Sequence, residues 1–415
     1  MADPVVVGNP TYSKEEGWPV VSVEVAIDGR SHLLKYKVSE GPLSHRSEAF
    51  LAATLLPAMR VAQSLWIAGK ISPKLLHSAQ EIQEIISKWY PEFQRIRVEA
   101  EPAELRKEYQ GEEVGCFFSG GVDSFYTLLK HQEEITKIIF VHGFDMPLDN
   151  HALRARVSEE IRRVSAELKK PLIEVETNLR GLADPYTKWD YHLFGSALAS
   201  VALLLSPQFK KIYFASSESY RHLDPCGSHP LLDPLWGTEY LEIAHDGCEA
   251  SRIEKVFRIA QNDIALRLLR VCWQKPDNAY NCGRCEKCLR TMVSLQAVGA
   301  LNRCTTFDCE LNPEAFSHVE INSDLVLYHV EDNLQAITKA GNDPPLIQAL
   351  SSCINRYKCK TLQREINRSL ENFDNSYALA LGKRVIKEYL KFYDRKLFEG
   401  KFYSFYKRRL RKDVH

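Results

Sequence analysis

One junction limits this chain's architecture more than any other. The apolar run Val114-Gly-Cys-Phe-Phe118 passes directly into Ser119-Gly120-Gly121-Val122-Asp123-Ser124, and a helical pattern follows to His131. Adjacent glycines let the backbone turn so that consecutive N–H groups converge, and the start of the next helix adds partial positive charge. A strand, a glycine turn and a helix in that order form a cradle for an anion, and a polyphosphate suits it. Ser119 and Ser124 offer hydroxyl donors. Asp123 offers a carboxylate able to hold Mg2+ against a departing pyrophosphate. Further apolar runs at 137–141, 172–175 and 211–215 alternate with helical stretches at 123–131, 151–168 and 191–205. The alternation predicts an α/β fold with a parallel, doubly wound sheet, whose ligands lie beyond the carboxyl ends of the strands.

The flanks read differently. Residues 1–110 predict an α+β accessory domain. It holds a hairpin at 19–38 turning at Asp28-Gly29, helices at 47–63 and 73–89, the second with Ser72 as N-cap and Pro73 at N1, and a strand at 95–99. The catalytic domain is expected at 111–300, and 301–415 as a mainly helical region with a new helix start at Asn342-Asp-Pro-Pro.

Eleven cysteines is an odd number, so they cannot all pair within one chain. Cys116, Cys226, Cys248, Cys304, Cys309, Cys353 and Cys359 are scattered and read as small buried hydrophobes. Cys272, Cys282, Cys285 and Cys288 fall in a Cys-x9-Cys-x2-Cys-x2-Cys pattern, which can wrap one tetrahedral Zn2+, with Gly283 easing the turn between ligands. An Fe–S cluster is the alternative. Four protein ligands leave no open position, so a zinc here would be structural.

The hexapeptide resembles the mark of the PP-loop ATP pyrophosphatases, which transfer AMP to a substrate oxygen and release pyrophosphate. No Gly-x4-Gly-Lys-Ser/Thr follows a strand, which excludes the P-loop of kinases. With the cysteine pattern and Arg290 downstream, residues 112–295 are similar to the 7-cyano-7-deazaguanine synthase (QueC) family. That resemblance implies ATP bound by Ser119, Gly120, Gly121, Val122, Asp123 and Ser124, with the backbone at Val141 and His142 meeting adenosine, and zinc on the four cysteines. It implies catalytic roles for Asp123, Ser124 and Lys255. It places Asp233 near the guanine-like edge of the substrate. The family's stretches after the second strand and before the 191–205 helix are replaced here by His142-Gly-Phe-Asp145 and Asp190-Tyr-His192-Leu-Phe-Gly195. Longer family members from antiviral defence cassettes imply a single amide-forming step onto an amine of a partner protein. The alternatives are the nitrile-forming synthase itself, a tRNA-modifying PP-loop enzyme and a non-catalytic nucleotide-binding subunit.

Among residues near strand ends, His192, Glu218 and His229 join Asp233 as candidate substrate contacts, with His222 and His245 nearby; each histidine also fits a plain hydrogen-bonding role. Lys+Arg and Asp+Glu each number 54, a formal net charge of zero. The sum hides an uneven split, because residues 382–415 carry twelve basic and four acidic groups interleaved with aromatics. Such a tail fits single-stranded nucleic acid, an acidic partner, or an amphipathic helix packed on the body; the packed helix is the favoured reading. The longest apolar stretch, 193–205, is too short to cross a bilayer, and the amino end carries no apolar targeting run, so a cytoplasmic, non-membrane protein is expected.

Overall fold

The computed structural model describes residues 3–105, 111–272, 274, 278–341 and 343–371. The basic tail and Asn342 lie outside them. The amino-terminal part contributes β1 (Val5–Val7), β2 (Thr11–Glu15), β3 (Trp18–Ile27), β4 (Arg30–Val38), α1 (Glu48–Val61), β5 (Leu65–Ile71), α2 (Pro73–Trp89) and β6 (Val98–Pro102). β3 and β4 form the expected hairpin. Asp28 and Gly29 both take positive φ, 50° and 70°, as a two-residue turn matched to strand twist requires. Ser72 caps α2 by accepting from the Leu75 N–H at 3.0 Å. The strand expected at 95–99 lies three residues further on as β6, while β1, β2, β5 and β11 lie outside the expected strands, although Val5-Val6-Val7 is itself a β-branched run.

The central part runs β7 (Glu113–Phe117), α3 (Val122–Lys130), β8 (Lys137–His142), α4 (His151–Leu168), β9 (Leu172–Thr177), α5 (Leu179–Ala183), α6 (Phe194–Leu204), β10 (Phe209–Ala215), β11 (Glu242–Asp246), α7 (Arg252–Ile259), α8 (Asp263–Leu268) and α9 (Glu286–Ala297). A π-helical turn at Trp189–Leu193 leads into α6. Helices α10 (Asp324–Ala340) and α11 (Pro344–Glu371) follow, packing on α9 through Leu289, Val293, Val330 and Leu350.

All eleven strands belong to one sheet, ordered β11-β10-β7-β8-β9-β4-β3-β1-β5-β6, with β2 on β3. The five central strands β11, β10, β7, β8 and β9 pair parallel as expected, and the sheet as a whole is mostly parallel. β4 joins β9 antiparallel, pairing Tyr36 with Thr177 and Val38 with Val175, so the amino-terminal strands extend the central sheet rather than forming a sheet of their own. Two cores cover the two faces. Phe117 and Phe214 pack with α1 and α6 on one side, while Cys116, Phe118 and Tyr213 pack with α3, α4 and α8 on the other. Strand order reverses at β7, since β8 and β9 follow on one side and β10 and β11 lie on the other. A crevice opens at the carboxyl ends of strands where order reverses. No helix among the described residues is long and apolar enough to cross a membrane.

Candidate functional site: an anion cradle beside a four-cysteine centre

The glycine turn sits at that reversal point. Gly120 takes φ 78° and Gly121 is the N-cap of α3, with no side chain closing the helix end. Ser124 Oγ donates to the Gly121 carbonyl at 3.0 Å, and the Gly121 N–H donates to Ser119 Oγ at 3.4 Å. Arg270 lies against the turn: its backbone N–H donates to the Gly120 carbonyl at 2.8 Å, and its Nη1 reaches the Ser119 carbonyl at 3.4 Å. An added Cβ at Gly120 would meet Ile161 and Arg270 only at ordinary contact distance, so the positive φ is what favours glycine there.

Asp123, in the first turn of α3, faces cations. Its Oδ2 accepts from Arg252 Nη1 at 2.7 Å, and Lys255 Nζ lies 3.4 Å from its Oδ1. Burial alone would raise its pKa, but Arg252, Lys255 and Lys287 outweigh burial and hold the carboxyl below its ordinary range. Arg252 and Lys255 project from α7, whose start is fixed by a reciprocal cap between Ser251 and Glu254. Lys255 is 1% exposed, and its Nζ donates to the Ser216 carbonyl at 2.6 Å, just beyond the end of β10. One carboxylate is the protein share that Mg2+ commonly takes, and Asp123 fits it through the lone pairs that Arg252 and Lys255 leave free.

The cradle is more basic than the sequence revealed. Arg252, Lys255, Lys287 and Arg290 all act on His329 of α10, where burial first and then these four charges drive the imidazole pKa far down. Arg252 Nε and Nη2, Arg270 Nε and His329 Nδ1 are buried without a hydrogen-bond partner among the described residues. Buried guanidinium nitrogens are costly to leave unpaired, and a cluster of them is suited to an incoming anion. Only the Ser251-x-x-Glu254 cap could have pointed to Arg252 from sequence. Arg270, Lys287, Arg290 and His329 acquire meaning through convergence in space.

The four cysteines converge as expected. Their sulfurs all lie within 4.8 Å of one another, with Cys272 to Cys285 at 4.0 Å and Cys282 to Cys288 at 3.9 Å. Four thiolates around one tetrahedral ion with bonds near 2.3 Å stand about 3.8 Å apart, so the set fits a single ion such as zinc. The Cys285 and Cys288 N–H groups point at the sulfurs of Cys282 and Cys285, at 3.3 and 3.4 Å. Hydrogen bonds from Cys288, then Cys282 and Cys272, bring the Cys285 thiol down to about 5. Asn281 Oδ1 accepts from the Val271 and Cys272 N–H groups, tying this centre to the segment that presents Arg270. Lys287 and Arg290 leave the same centre on α9.

The remaining sequence candidates divide. Val141 is buried in the core, and His142 turns its ring into a polar cluster with Glu174 at 3.1 Å and Ser158 at 3.2 Å, leaving only backbone at the strand end. His192 packs edge-on against Tyr90 and Phe93, and His229 against Trp89. Burial lowers the pKa of both. The amino-terminal part thus packs directly on the segments that carry His192 and His229. Glu218 accepts from the Asp224 N–H at 3.1 Å, and burial raises its pKa. Asp233 is 0% exposed: its Oδ2 engages Ser228 Oγ and His245 Nδ1, both at 2.7 Å, and its Oδ1 faces the His229 N–H. Compared with family models, with curated proteins and with solved structures, the chain matches none of them.

Proposed function

We propose that this protein is an ATP-dependent ligase that activates a carboxylate by adenylation and transfers it to an amine. The observation that carries the reading is the set of buried, unpartnered guanidinium nitrogens of Arg252 and Arg270 around the Ser119–Ser124 turn. In this reading a carboxylate oxygen attacks the α-phosphorus of ATP, the bond to the bridging β-phosphate oxygen breaks, and pyrophosphate leaves. The amine nitrogen then attacks the acyl carbon, AMP departs, and the nitrogen gives up a proton. Backbone N–H groups of the turn, Arg252, Arg270 and Lys255 would stabilise charge developing on the departing pyrophosphate. Asp123 would hold Mg2+, whose charge would add to that neutralisation. Cys272, Cys282, Cys285 and Cys288 would hold a zinc ion that fixes the backbone carrying Arg270, Lys287 and Arg290.

The resemblance of the glycine turn and cysteine spacing supports 7-carboxy-7-deazaguanine as the carboxylate and an amine of a partner protein as the acceptor. Pyrophosphate release from ATP and 7-carboxy-7-deazaguanine tests the first half. Intact-mass analysis of candidate partner proteins after the same incubation tests the second, through an added mass matching the deazaguanine amide. Absence of both AMP and pyrophosphate would leave a nucleotide-binding subunit; nitrile without a protein adduct would make it a small-molecule synthase.

A further inference from the structure

The sequence put Asp233 against the substrate, yet its carboxylate is fully buried with its oxygens committed to neighbours. What it holds is His245 of β11, whose side chain is 3% exposed. The two ring nitrogens of an imidazole point in diverging directions, so a ring bound at Nδ1 presents Nε2 elsewhere. His245 Nε2 is buried and makes no hydrogen bond of standard geometry among the described residues, the sulfur of Cys248 being the neighbour it faces.

The surroundings show what it is suited to meet. His245 pairs in register with Phe214 near the end of β10, and Ser216, just past that end, donates its N–H to the Asp246 carbonyl at 2.7 Å. Ser216 also accepts from Lys255 Nζ through its carbonyl and from the Cys248 thiol through its hydroxyl, at 2.6 and 3.2 Å. A side chain added at Gly247, two residues after His245, would come within 3.5 Å of Lys255 Nζ. His245 and Lys255 both act on the Glu218 carboxyl. They therefore converge on one strand end. Burial alone would keep the imidazole neutral, but Asp233 and Cys248 override it and bring His245 to about 9. At neutral pH Nε2 is thus a donor that faces only the weakly accepting sulfur of Cys248, which a carboxylate oxygen would outcompete.

We propose that His245 Nε2 and Lys255 Nζ together seat the carboxylate of the substrate to be activated, with Asp233 as the positioning residue that fixes the His245 ring. This assignment rests on the ligase reading above. An ammonium has three protons. Lys255 directs two of them at Ser216 and Asp123, leaving the third for the carboxylate. The bound carboxylate then lies at the edge of the phosphate cradle, where its attack on the α-phosphorus begins. No bond is made or broken by His245 itself.

The test measures pyrophosphate release by the full chain with Mg-ATP and 7-carboxy-7-deazaguanine as the probe. His245→Ala should raise the KM for the carboxylate about ten- to a hundredfold, the loss expected for a charge-assisted hydrogen bond. The KM for ATP should stay within about twofold. His245→Gln, which keeps an N–H donor at similar reach, should recover most of the loss, and Asp233→Asn should weaken the carboxylate in the same sense. Calorimetry with 7-cyano-7-deazaguanine, which has no carboxylate, should give the same affinity for wild type and His245→Ala. An unchanged carboxylate KM overturns the seat, as does equal weakening of both probes, which would mark His245 as structural. A wild type that releases no pyrophosphate removes the ligase reading and the seat together, whereas an active wild type with an indifferent His245→Ala removes the seat alone.

Discussion

Arg252 Nη1 donates a 2.7 Å hydrogen bond to Asp123 Oδ2 across 129 residues of sequence, joining the start of α7 to the first turn of α3. Asp123→Ala should cut pyrophosphate release at least about a hundredfold, while Arg252→Ala should raise the KM for ATP and lower the rate by about ten- to a hundredfold. Steady-state assays with each variant check this, with circular dichroism as the test of folding. Wild-type rates from Asp123→Ala would remove it from the chemistry.

Elemental analysis should find one metal ion per wild-type chain, and Cys285→Ser should abolish that binding. Because the same segment presents Arg270 and α9 carries Lys287 and Arg290, ATP affinity should fall along with the melting temperature, by about 5 °C or more. Loss of metal with undiminished ATP binding would uncouple the two sites.

Glu48 is buried at the start of α1, where its Oε1 accepts from the Ser72 N–H at 3.0 Å. Burial, opposed in part by Arg46, raises its carboxyl to about 7. A folded pKa above the unfolded value means stability is greatest below the ordinary carboxylate range and is lost as pH rises through 7. Glu48→Gln should therefore melt higher than wild type at pH 8, with the difference vanishing near pH 4.5. A constant offset across that range would contradict the burial argument.

Gly195 opens α6 with no room for a side chain: an added Cβ would lie 2.1 Å from the Gly227 carbonyl oxygen and 2.7 Å from Asp233 Oδ1. Gly195→Ala should cost about 1–3 kcal/mol in urea unfolding and disturb the Asp233–His245 pair. Gly181→Ala, inside α5 with nothing within 4 Å, is the matched control and should be neutral or slightly stabilising.

Local signals made much of this molecule legible in advance. The Asp28-Gly29 turn, the Ser72-Pro73 helix start, the span of α4 and the glycine cradle after β7 are each written in a few adjacent residues, because turn geometry, capping and burial act over short range. The cysteine centre was legible for the same reason. Pairing partners were not. Nothing near Tyr36 says that it will lie beside Thr177, and nothing near Lys287 or Arg290 says that their charges will act on Asp123. Arginines in an averagely charged sequence resemble solvated surface until the chain folds them inward. Asp233 shows the converse: its type was informative, but its partner His245 came into view only in the fold.

The β4–β9 seam bears on how the chain comes into being. Val38 meets Val175 only after some 140 further residues have been made, which at ordinary translation speed is on the order of ten seconds. Throughout that interval the nascent β4 presents an open row of backbone donors and acceptors, the feature that invites edge-to-edge association between neighbouring chains. Soluble yield should therefore depend less on the strength of the finished molecule than on what shields that edge until β9 emerges.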